Sequence, residues 1–165
     1  MDLYLVRHAA AFDPDQSRWP TDRDRPLTDK GEKRFRRAAR GLVSLVPNVD
    51  VVVSSPYLRT LQTARLLHEA GWPDAVEVEA LEAGRQPAEV LQALQAYATA
   101  QAVVLVGHEP TMHELVSYLL TADSAHAQVE FRKGAVARLE VQGLRPGSAT
   151  LRWLLAPKVL RAIGN

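Results

Sequence analysis

The chain contains no cysteine. That excludes disulfides and thiolate chemistry, and it fits a reducing compartment. An excess of one charge is also missing. Lys and Arg total 20 against 19 Asp and Glu, so bulk electrostatics makes no case for a nucleic-acid or membrane partner. No apolar run approaches the ~18 residues that a membrane span requires. Met1-Asp2 leads at once into a short apolar segment, without the basic stretch and long apolar run of a secretory leader. Repeats, low-complexity tracts and internal linkers are absent too. Cytoplasmic residence is the expectation, and the sequence carries no signal of oligomeric state.

What is present is an ordinary globular balance, 47% hydrophobic and 24% charged over 165 residues. One domain spanning 1–165 is expected. A chain of this length buries roughly 70% of its unfolded surface and needs no staples. Leu3–Val6, Val51–Val53 and Ala102–Val106 read as buried strands, and Ala75–Val78 as a weaker one. Thr28 is a plausible N-cap for a helix carrying Phe35, Ala38, Ala39, Leu42, Val43 and Val46 at helical spacing. Helices are also expected from Pro56 through Leu67 to a stop near Gly71, from Pro87 through Tyr97, and from Pro110 through Leu120. Ala135–Val141 and Thr150–Leu155 read as two strands joined by a turn around Arg145-Pro146-Gly147. The fold class is α/β: a three-layer α/β/α sandwich whose central sheet is mostly parallel, with an antiparallel strand near the C-terminus and no lid domain.

Three of these strands end on chemistry that a core does not want. The first leads to Arg7 and His8, the second through Ser54-Ser55-Pro56 to Arg59, and the third through Gly107 to His108. In a parallel sheet all these ends share one rim, where open α/β folds bind ligands. Guanidinium forks match phosphate oxygens, helix N-termini favour anions, and a neutral imidazole is a nucleophile. The set points to phosphoryl transfer through a covalent phosphohistidine.

The segments carrying these residues resemble a known family. Leu5-Val6-Arg7-His8-Ala9, Ser54 to Ala64 and Val106-Gly107-His108-Glu109-Pro110 are similar to the three motifs of the histidine phosphatase (phosphoglycerate-mutase-like) superfamily, and Arg25 to Gly31 adds a fourth match. Ala9 and Asp22 fit the small bacterial branch typified by the phosphohistidine phosphatase SixA. The resemblance implies that His8 is the nucleophile and that Arg7, Arg59 and His108 hold the equatorial oxygens of the transferring group. It implies Arg25 and Asp22 as further phosphate- or substrate-binding residues. Neither metal nor cofactor is expected. Many relatives supply a glutamate acid after the third strand; Glu82 is the candidate here. Weak acid equipment and the lack of room for a lid favour phosphohistidine on a protein as substrate. Alternatives are a small phosphoester, such as a sugar phosphate or nucleotide, or a non-catalytic phospho-binding module.

The remaining features have plainer readings. Ser55 either hydrogen-bonds near the site or caps the helix before Pro56. His68 and His126 lie in no motif. His108 and His113 are five residues apart with Pro110 between, which is not the i, i+4 spacing of a zinc helix. The basic face Lys33–Arg40 reads as solvated helix surface.

Overall fold

Strand β1 (Asp2–Arg7) lies near the middle of a six-stranded sheet. The others are β2 (Val51–Ser54), β3 (Ala75–Glu77), β4 (Ala102–Gly107), β5 (Val136–Val141) and β6 (Ala149–Leu155), in the order β3-β2-β4-β1-β5-β6. This computed structural model describes residues 1–164. The first four strands in that order are parallel; β5 runs antiparallel to both β1 and β6.

The central strands are buried on both faces, which is why their sequences are apolar throughout rather than alternating. Tyr4, Val6, Val104 and Val106 face one layer with Phe35, Ala38, Leu42 and Leu66. Leu3, Leu5, Val103 and Leu105 face the other with Leu91, Met112, Leu115 and Leu119. Helices α1 (Asp29–Leu45), α2 (Leu58–Glu69) and α5 (Pro157–Ile163) therefore cover the first face, and α3 (Pro87–Leu94) and α4 (Thr111–Thr121) the second. Thr28 caps α1 as anticipated, its side chain accepting from the Gly31 N–H at 2.9 Å.

The larger differences from the sequence reading lie in the helices. Helix α2 starts at Leu58, with Tyr57 at the N-cap position, so Pro56 precedes the helix and Ser55 does not cap it. The stretch Gln95–Tyr97 is a short 3-10 turn after α3. Helix α5 (Pro157–Ile163) was not anticipated and packs against α1. The 8–28 connection is fastened down. Ala11 pairs with Leu27, and Phe12 stacks on Trp19 at 5.3 Å. Among the described residues no helix is long and apolar enough to cross a membrane.

Candidate active site

Sheet register builds the site. Arg7 stands opposite Gly107, and Ser54 opposite Val106, so the C-terminal ends of β1, β4 and β2 lie side by side with β4 in the middle. The ladder continues one residue further, with the His8 N–H donating to Gly107 at 3.0 Å and the Ser55 N–H to Val106 at 3.0 Å. Chain from β1 and β2 then runs to helices on one face, and chain from β4 to a helix on the other. The connections diverge at these strand ends and leave a crevice, the general site of ligand binding in such sheets. His8, Ser55 and His108 meet there.

His8 is 5% exposed. Its Nδ1 lies 2.7 Å from the Ala9 carbonyl. A carbonyl only accepts, so Nδ1 carries the proton of the neutral ring and Nε2 keeps a free lone pair. Burial, reinforced by the positive charges of Arg59, Arg7 and Lys133, pushes the imidazole down to about 3. The ring is neutral at physiological pH. The Ala9 N–H donates to Thr63 Oγ1, which itself donates to the Arg59 carbonyl, tying the loop after β1 to α2.

The cations are held by acceptors rather than left mobile. Arg7 Nη1 donates to the Phe131 carbonyl at 2.6 Å. Arg59 is 3% exposed and donates twice to Asp22, to the backbone oxygen at 2.7 Å and to Oδ2 at 2.8 Å. Asp22 Oδ1 accepts from Arg25 Nε at 2.7 Å, so one carboxylate orients two guanidiniums. Burial raises the Asp22 carboxyl, but bonds and charges from Arg25 and Arg59 outweigh it and hold the group below the usual carboxylate range. Burial lowers Arg7 and Arg59 from their ordinary values.

His108 is 1% exposed, with its ring 5.4 Å from that of His8 and 4.8 Å from that of Tyr57. Its Nε2 lies 2.8 Å from Ser55 Oγ. Of the two readings of Ser55, the structure supplies the one near the site. Burial and the Arg59 charge press His108 down to about 2, so it brings a hydrogen bond to the site and not a charge. Tyr57, which also lies under the Arg59 guanidinium, has no sequence signal beyond its place in the motif.

Four buried side-chain polar atoms have no partner among the described residues: Arg7 Nε, Arg59 Nε, His108 Nδ1 and Glu109 Oε1. Two of them are guanidinium donors. Glu82 stands apart: it pairs with Arg23 at 3.1 Å and Arg85 at 3.6 Å, and no bond or ion pair joins it to either histidine. His113 pairs with Glu109 and shares no partner with His108. Among the described residues no cluster of His, Asp and Glu has the makings of a metal site.

A family model described as the histidine phosphatase superfamily (branch 1) matches residues 3–84. An uncharacterised protein of Picosynechococcus is 32% identical over 158 residues, covering 92% of this chain and 89% of that one. The solved structure of the protein histidine phosphatase SixA complexed with tungstate superposes with a TM-score of 0.84 at 25% identity, covering 97% and 99% of the two chains. A Nakamurella protein assigned as a phosphohistidine phosphatase SixA gives a TM-score of 0.79 at 29% identity, covering 94% and 95%.

Proposed function

The chain belongs to branch 1 of the histidine phosphatase superfamily, in its SixA-like group, and is a phosphatase; from that membership we propose that it removes phosphate from phosphohistidine on another protein, without a metal, through a phosphoryl-His8 intermediate. The single observation that carries this reading is the pairing of a neutral buried His8, its Nε2 lone pair free, with unpartnered polar atoms on Arg7, Arg59 and His108.

In the proposed reaction, His8 Nε2 attacks phosphorus in line with the leaving group. The new N–P bond forms as the bond to the leaving atom breaks. Charge on the equatorial oxygens is met by Arg7 and Arg59, which are already oriented and desolvated, so they need no reorganisation as the reaction proceeds. Arg25 helps to hold the Asp22 carboxylate that orients Arg59. The Ser55 hydroxyl donates to His108 Nε2, which places the His108 proton on Nδ1 and makes that atom a donor to the oxyanion. Water then attacks the phosphoryl-His8 phosphorus and releases phosphate, returning Nε2 with its lone pair.

Substrate preference follows from the state of Glu82. Glu82, the carboxylate offered for that role, is paired with two arginines. An alkoxide leaving group needs a proton donor. A phosphohistidine ring protonated on its second nitrogen leaves as neutral imidazole and needs none.

The test is phosphate release from a histidine-phosphorylated carrier protein in excess EDTA, with p-nitrophenyl phosphate alongside and His8→Ala as control. EDTA-resistant release from the carrier, abolished by the substitution, is expected. Release from the ester alone would move the substrate to small molecules. No release from either would leave a phospho-binding module.

A further inference from the structure

A cavity of about 250 Å³ lies between the first turns of α1, the 132–134 loop and the start of α5. One of its walls is the backbone that carries the nucleophile. Ala9 and Ala10 line it directly after His8, and Gly134, also in the lining, donates its N–H to the Arg7 and His8 carbonyls at 3.1 and 3.0 Å. The rim is cationic: Arg34, Arg132, Lys133, Lys158 and Arg161, with no acidic residue in the lining. Arg132 is held by Glu130 at 2.9 Å. The other four make no ion pair with any described residue. In a chain whose charges otherwise nearly cancel, this is a concentration of unneutralised positive charge beside the reacting centre. Beneath the rim the floor is apolar, built from Ala9, Phe35, Ala156 and Pro157.

We propose that this cavity is a docking pocket for an acidic side chain of the phosphorylated protein substrate, lying close to its phosphohistidine. The inference rests on the protein-substrate reading above. A glutamate or aspartate suits both parts of the cavity, its aliphatic stem on the floor and its carboxylate at the rim. Most of the cations sit on exposed, flexible side chains, which suits the surface of a protein partner. Opposite charge across such a contact raises the association rate and selects partners.

The test compares Arg34→Glu/Lys158→Glu with the unaltered protein and with Arg40→Glu/Arg145→Glu, which changes net charge equally at exposed positions outside the cavity. Substrates are a histidine-phosphorylated carrier with acidic residues flanking the phosphohistidine, the same carrier with those residues neutralised, and p-nitrophenyl phosphate. The expected result is a loss of about tenfold in kcat/KM on the acidic carrier for the cavity variant alone. The neutralised carrier and the ester should be unaffected by it. Equal turnover of both carriers by all three proteins would overturn the pocket and leave the protein-substrate reading standing. A parallel loss on the ester would also overturn it, by showing damage to the reacting centre. If the unaltered protein turns over the ester and neither carrier, the protein-substrate reading fails and the pocket fails with it.

Discussion

Ser55 shows how one hydroxyl can govern a site through its neighbour. Its Oγ lies 2.8 Å from His108 Nε2, and its one other hydrogen-bond contact among the described residues is a 3.4 Å approach from the Tyr57 N–H. The hydroxyl proton is therefore available to the ring. Remove it, and His108 is as stable with its proton on Nε2, which turns Nδ1 from donor to acceptor against an oxyanion. Ser55→Ala should lower kcat about 10- to 100-fold, the usual range for groups that orient a ligand from behind, with KM changed far less. A kcat within twofold of the parent would remove this role. Asp22 does similar work for the cations, because Arg25 and Arg59 share its carboxylate. Arg7, His8, Arg59 and His108 were visible in the sequence because guanidinium and imidazole groups at the end of an apolar strand have no place in a core. Ser55 was visible with two readings. Tyr57 was not visible as a site residue, because a ring tilted against an imidazole and under a guanidinium leaves no pattern in the chain.

At the scale of elements, strands and the longer helices were legible wherever burial imposed a period or an unbroken apolar run. Helix α5 was not. Its one buried residue is Leu160, while Val159 and Ile163 are exposed, so no apolar stripe announces it. What holds it is close backbone approach to α1. A Cβ on Gly41 would meet the Leu160 carbonyl oxygen at 2.0 Å, and one on Gly164 would meet the Arg37 carbonyl oxygen at 2.2 Å. Alanine in a helix interior ordinarily gains about 1 kcal/mol over glycine. At Gly41 the clash is with backbone, and overpacking of this kind costs about 1–3 kcal/mol. Gly41→Ala should therefore lower stability, with Tm falling by roughly 5 °C. A Tm equal to or above that of the parent would show that the two helices part without cost. The start of α2 was misplaced by two residues for a related reason: Pro56 is a common first helical residue, but Ser55 is engaged with His108 and the chain turns only at Tyr57.

The molecule as a whole should register the two buried imidazoles in its acid stability. Both are neutral when folded, at about 3 for His8 and about 2 for His108, against about 6.5 in an unfolded chain. Below 6.5 the unfolded state binds protons that the folded state refuses, so stability falls with pH from 6.5 toward those values. Between pH 7.5 and pH 5 the pair should cost up to about 4 kcal/mol. Urea unfolding at the two pH values measures it, and His8→Asn should remove about half of the difference. Identical midpoints would mean the histidines titrate normally. The strand order has a further consequence, one of timing. The neighbours of β1 are β4 and β5, at residues 102–107 and 136–141. On the ribosome, the apolar segment Leu3-Tyr4-Leu5-Val6 is made before either partner and must wait for most of the chain. Such long-range pairing is slow and leaves strand edges open to wrong partners. His8 follows directly on that strand, so the strand synthesised early, and paired late, is the one that delivers the proposed nucleophile.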